Sequence, residues 1–191
     1  MTIGIIVVNI IVFVLMSLSG STLDAQYMAA HGAMYPEYIK DGQYWRLLTS
    51  MFMHFGLMHI LNNMVVLGAV GQIVEKAMGH VKLLITFLVS GMCGSVLSYI
   101  VMLYNNDFAV SAGASGAIFG LVGALVWIVT NRGFYEGISR QQAVFMVILM
   151  IYYGVSTQGV DNWAHGGGLA GGFVISIVLY RKKRYNKYSI N

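Results

Sequence analysis

Six apolar runs, each of roughly the 17–25 residues that a helix needs to cross a bilayer, dominate this chain. They lie at about residues 3–19, 55–74, 81–104, 115–130, 141–157 and 164–180. Lipid offers no partner to open backbone groups, so each spanning segment must satisfy its own N–H and C=O groups; the period-2 alternation of a barrel strand is absent. The runs are therefore expected to be helices, the fourth short and opening with small residues. Composition agrees. Charged residues make up 9% of the 191, against about 25% in soluble chains, while apolar residues reach 58% and mean hydropathy is +0.72. The single cysteine, Cys93, can form no internal disulfide. The first run has neither a basic leader nor a small-residue cleavage site after it, so it reads as a span and not a signal peptide.

The pI of 9.2 would fit nucleic acid, but the basic residues are arranged for another purpose. Arg181, Lys182, Lys183, Arg184 and Lys187 form a basic tail over 181–191. With six spans they share a side with Lys76, Lys82, Arg132 and Arg140, which leaves only Lys40 and Arg46 opposite. By the positive-inside rule both termini are expected in the cytoplasm, in a bacterial inner membrane, with the lipid bilayer as partner and no nucleic acid. The connection over 20–53 carries the only proline, Pro36, and the aromatics Tyr27, Tyr35, Tyr38, Tyr44, Trp45 and Phe52. Such composition fits a structured loop lying in the outer interface.

Polar groups at membrane depth are costly and ask for a partner or a task. Three clusters stand out: His54, His59, Asn62 and Asn63; Gly113-Ala114-Ser115-Gly116; and Asn162 to Gly168, which includes His165. In the six-span topology all three lie at the outer ends of even-numbered helices, hence at one depth. A serine, a histidine and hydrogen-bond donors that converge have the makings of a serine hydrolase. His59 and Asn63 share a helix face. Ser115 starts a helix, where backbone N–H groups lack partners and the dipole is positive. Gly116 with Gly120, Gly167 with Gly171, and Gly168 with Gly172 form small faces that let helices approach closely. Asp161 precedes the sixth span and is not expected to reach His165, so a Ser–His dyad without an acid is the reading. A metal is not expected: His54 and His59 lie about 140° apart on a helix, with no carboxylate or cysteine to join them. No cofactor is implied.

In order along the chain stand Trp45-Arg46, His54 with His59 and Asn63 as H-x4-H-x3-N, Gly113 to Gly116 as G-x-S-G, and Ala164 to Gly168 as A-H-x-x-G. This series resembles the rhomboid intramembrane serine proteases, over essentially the whole chain as one bare six-helix domain, 1–191. The resemblance implies an all-α membrane fold whose short fourth helix is surrounded by the others. It implies Ser115 as nucleophile, His165 as general base, and an oxyanion hole of His59, Asn63 and the Ser115 N–H. It gives His54 a structural bond into the first loop and has Trp45 and Arg46 order that loop, with Gly113 and Gly116 keeping the backbone open. Phe119 stands where the family often has a tyrosine packed on the histidine. The implied substrates are single-span membrane proteins, cut near the outer face where their helices unwind. The competing reading is a catalytically silent member of the same fold that binds transmembrane clients; a transporter would need a repeat and a buried coupling charge.

Overall fold

The computed structural model describes residues 1–180; the basic tail at 181–191 lies outside the described residues. Six long helices fall where the apolar runs are: α1 (Thr2–Ser19), then, after three short helices, α5 (Gly56–Met78), α6 (His80–Asn105), α7 (Ser115–Arg132), α8 (Arg140–Ser156) and α9 (Asn162–Leu179). Four of them, α1, α5, α6 and α7, are long and apolar enough to cross a membrane. The 17-residue α8 and the 18-residue α9 are not among the four. In α9 the first two turns are spent on Asn162, His165 and three glycines, which dilutes its apolarity.

The ends of these helices follow local rules. Asn106 closes α6 in the left-handed conformation (φ 50°), where asparagine is second only to glycine. Ser139 and Gln142 form a reciprocal capping box on α8. Between α7 and α8 the structure adds what the apolar pattern leaves as a plain connection: an antiparallel hairpin of β1 (Phe134–Tyr135) and β2 (Ile138–Ser139). Glu136 and Gly137, both at positive φ (47° and 81°), make the two-residue turn whose twist suits such a hairpin. Among the described residues the fold is thus helical apart from these four strand residues and one isolated bridge between Met34 and Ser111.

Of the four helices long and apolar enough to cross a membrane, α7 is the most enclosed, with 67% of it buried against 17% of α1. It packs on α5, α6, α8 and, most extensively, α9. Glycine faces make this possible. A Cβ added at Gly168 or Gly172 of α9 would collide with the carbonyl of Gly116 or Gly120 of α7. The second glycine pair of α9 faces elsewhere. A Cβ at Gly167 would lie 2.8 Å from the Cys93 carbonyl of α6, and one at Gly171 2.8 Å from the Cys93 Cβ. One helix therefore seats two neighbours through two stripes about 100° apart. Lipid tails are as apolar as leucine, so such close packing, and not hydrophobic burial, is what draws these helices together.

Residues 20–53 hold α2 (Ala25–Ala30), α3 (Pro36–Lys40), α4 (Arg46–Thr49) and a 3-10 turn at Ser50–Phe52. Their hub is Arg46, buried to 3% exposure. Its guanidinium donates to the Ala29 and Ala33 carbonyls (2.5 and 2.9 Å) and to Gln43 Oε1 (2.8 Å). It lies 4.5 Å from the Tyr38 ring centre and 4.7 Å from that of Trp45, in cation–π contact. Arg46→Ala leaves two carbonyls without a donor, so a loss of about 3 kcal/mol of stability is expected, read as a lowered unfolding midpoint. Arg46→Lys should recover only part of this, since an ammonium cannot reproduce the planar fork.

Candidate active site

The sequence Gly113-Ala114-Ser115-Gly116 is held by hydrogen bonds from several directions. Two residues upstream, Ser111 exchanges both backbone hydrogen bonds with Met34 (2.9 Å each); Gly113 N–H donates to the Ser50 carbonyl (2.9 Å). Ala114 N–H donates to His54 Nε2 (3.4 Å). Gly113 sits at φ +135°, and an added Cβ would stand 2.8 Å from His59 Nε2, so both conformation and space require glycine there. Ser115 is the first residue of α7, after Ala114, which supplies no side-chain cap. The first-turn amides of α7 therefore remain as free donors at the positive end of the helix dipole.

His165, in the first turn of α9, completes the pair. Its Nε2 lies 2.9 Å from Ser115 Oγ. The imidazole stacks on Phe119, one turn beyond Ser115, with ring centres 4.1 Å apart and planes 13° from parallel. Gly116 allows this approach: a Cβ there would meet the Ala164 carbonyl at 3.2 Å. Among the described residues His165 Nδ1 has no hydrogen-bond partner. Gly154 of α8 covers it; a Cβ at Gly154 would lie 3.4 Å from Nδ1 and collide with Asn162 Oδ1. Asn162 Nδ2 donates to the Gly154 carbonyl (3.2 Å), tying the end of α8 to the start of α9.

On α5, His59 Nδ1 accepts the Phe55 N–H (3.3 Å). That bond places the ring proton on Nε2, and Nε2 is the atom facing Gly113. Asn63 is buried beside it, and its Nδ2 donates to the His59 carbonyl (3.0 Å), leaving one amide hydrogen uncommitted. The two residues share a face, with the His59 donor turned toward the serine loop and the Asn63 amide turned partly back onto its own helix. The family resemblance has His54 bond into the first loop; its Nε2 accepts the Ala114 N–H of the loop that carries Ser115, and the Phe52 backbone of the first loop lies against its ring. Burial, with His59 edge-on 5.2 Å away, pushes its pKa down to about 3. The ring stays neutral and Nε2 stays an acceptor.

Asp161, set aside in the sequence as an acid too far from His165 to complete a triad, meets two serines that the sequence does not single out, Ser98 and Ser111. Asp161 caps α9 by accepting the Ala164 N–H (2.9 Å) and takes the hydroxyls of Ser98 and Ser111 (2.5 and 2.6 Å). An aspartate before a helix is a readable capping signal. Its serine partners, 63 and 50 residues away, leave no local trace.

Helices fit to cross a membrane, with a serine and a histidine in hydrogen-bond contact at the starts of two of the packed helices, define the class: an integral membrane protein with hydrolase-like polar geometry inside its bundle. The Rhomboid domain model matches residues 41–182, and the chain belongs to the rhomboid family. It is 34% identical over 175 residues to Rhomboid protease GluP of Bacillus subtilis, covering 91% of this chain and 34% of that protein. It is 38% identical over 163 residues to RHOMBOID-like protein 7 of Arabidopsis thaliana, covering 84% of this chain and 50% of the relative. To RHOMBOID-like protein 5 of Arabidopsis thaliana it is 34% identical over 158 residues, or 81% and 50%. The chain thus spans a third to a half of the length of these relatives.

Proposed function

We propose that this chain is an intramembrane serine protease that cuts single-span membrane proteins through an acyl-enzyme formed on Ser115. The observation that carries the reading is the 2.9 Å contact of Ser115 Oγ with His165 Nε2, on an imidazole clamped by Phe119. In this reading Oγ attacks the scissile carbonyl as His165 Nε2 takes its proton. The same nitrogen then gives that proton to the leaving amine, and water hydrolyses the ester by the reverse sequence. The oxyanion forms near the first-turn amides of α7 and His59 Nε2–H, with Asn63 as a further donor. Trp45 and Arg46 hold the first loop, and Gly113 and Gly116 keep the approach to Ser115 clear.

All six long helices span the membrane in this reading, α7 short and central, with both termini in the cytoplasm of a bacterial inner membrane and residues 20–53 in the outer interface. Supporting it, Thr2 and Glu75 are hydrogen-bonded (2.9 Å), and Lys82 Nζ donates to the Leu179 carbonyl (2.8 Å). The starts of α1 and α6 thus share one end of the bundle with the ends of α5 and α9. Cleavage falls near the opposite, outer end, where a substrate helix must unwind before its carbonyl is open to attack.

A tagged fluorophosphonate tests the reading directly. Covalent mass on Ser115, absent from Ser115→Ala and His165→Ala, is the expected result; a folded wild-type protein that stays unlabelled, beside an active relative that labels, would turn the reading toward a client-binding protein. Asn63→Ala should lower turnover by about 10²–10³ with a smaller change in substrate affinity. An effect confined to affinity would remove Asn63 from the oxyanion site.

A further inference from the structure

We infer that Asp161 is a positioning residue for this site, a carboxylate strut that fixes the distance between Ser115 and His165 without touching either reacting atom. The inference rests on the protease reading and adds a residue to it. Two chain segments bring the dyad together. One is the extended stretch that leads from Ser111 into Ser115, and the other is the start of α9. Each is bound to Asp161. On the serine side, the Ser111 hydroxyl donates to Asp161 Oδ2 at 2.6 Å, four residues before Ser115. On the histidine side, Asp161 Oδ1 accepts the Ala164 N–H (2.9 Å), and its carbonyl accepts the His165 N–H itself (3.2 Å). A third anchor, Ser98 of the long helix α6, donates to Oδ2 at 2.5 Å.

These hydroxyl bonds have the short length of hydrogen bonds to a carboxylate. Met34 already holds Ser111 from the first loop through its backbone. The serine segment is therefore hydrogen-bonded to residues 34, 50 and 54 and, through the Ser111 hydroxyl, to Asp161 at the start of α9. Without the carboxylate, the stretch that leads into Ser115 loses its hydrogen bond to the start of α9, and the alignment of Ser115 with His165 is left to the glycine-faced packing of α7 on α9 and to the Phe119–His165 stack. Asp161 accepts no bond from the imidazole ring, so its part differs from that of the acid in a catalytic triad.

The test separates geometry from folding by following fluorophosphonate labelling in time: the final labelled fraction counts competent molecules, and the rate constant reports how well each is arranged. Asp161→Ala is expected to slow labelling by about 10²-fold, the cost of a displacement near 1 Å, with the final fraction retained. Asp161→Asn, which keeps an acceptor for the Ala164 N–H, should fall between. The double variant Ser98→Ala with Ser111→Ala keeps the helix cap and the charge, so it should slow labelling too. On a transmembrane reporter these losses should appear in kcat, with KM little changed. An unchanged rate with a reduced final fraction would overturn the inference and leave Asp161 a residue that merely holds the fold. A second readout needs no chemistry: in ¹⁵N-histidine-labelled protein the His165 Nε2 resonance should lose its hydrogen-bonded shift in Asp161→Ala and in the double serine variant. Wild-type protein that fails to label while this shift still depends on Asp161 would sink the protease reading and leave the strut standing. A shift indifferent to all three variants would sink the strut.

Discussion

Ser115→Ala is expected to reduce cleavage of a transmembrane reporter by about 10⁶-fold, with His165→Ala alone costing nearly as much and the double variant no more than either. The reason is that the two side chains act as one device. Without His165 Nε2 the hydroxyl keeps its proton and is a poor nucleophile; without the hydroxyl the base has nothing to deprotonate. The described partner of Ser115 Oγ is His165 Nε2, so removing the oxygen should cost stability of only about 1 kcal/mol. Turnover would then collapse in a protein whose unfolding midpoint hardly moves. Cleavage by Ser115→Ala within tenfold of the wild-type rate would remove Ser115 as nucleophile.

The second large effect is on the fold. Gly168→Val places two methyl groups where the Gly116 carbonyl of α7 already stands against α9. What the added Cβ meets is backbone, which cannot rotate aside as a side chain can. Overpacking of a tight core typically costs 1–3 kcal/mol, occasionally more, and here the helices that must separate are the two that carry Ser115 and His165. A clear drop in the midpoint of a detergent unfolding titration is expected. Among molecules that remain folded, a separation near 1 Å should slow labelling by about 10²-fold. Gly166→Ala is the matched control, since a Cβ there meets nothing within 4 Å; it should leave both quantities near wild type. Equal behaviour of the two variants would show that the glycine face does not set the approach of α7 and α9.

Much of the arrangement is legible along the chain because membrane insertion reduces the problem to one dimension. Apolar length alone places α1, α5 and α6 within a few residues of their observed ends, and Gly113 to Gly116 marks the start of α7. What one dimension cannot carry is direction around a helix axis and contact across the bundle. The pairs Gly167–Gly171 and Gly168–Gly172 look equivalent as letters, yet one faces α6 and the other α7. His54 stands in the sequence only among the polar residues near the second span, and its Nε2 accepts the Ala114 N–H, 60 positions away. The Glu136-Gly137 hairpin escapes notice because two-residue strands have no periodicity to detect.

Asp161 shows where the boundary falls. Its place before an apolar run marks it as a helix cap, and its distance in sequence from Ser98 and Ser111 conceals the rest. That the chain enters a membrane, which residues are too polar to lie there idly, and the family whose motifs they match can all be read along the chain, because hydrocarbon penalises every unmatched polar group and leaves few solutions. Which of those groups touch is set by the packing of the helices. It set Ser115 Oγ 2.9 Å from His165 Nε2, Phe119 against the imidazole and the His59 proton toward Gly113. Those distances depend on how closely glycine-faced backbones pack, and a list of residues does not contain that quantity.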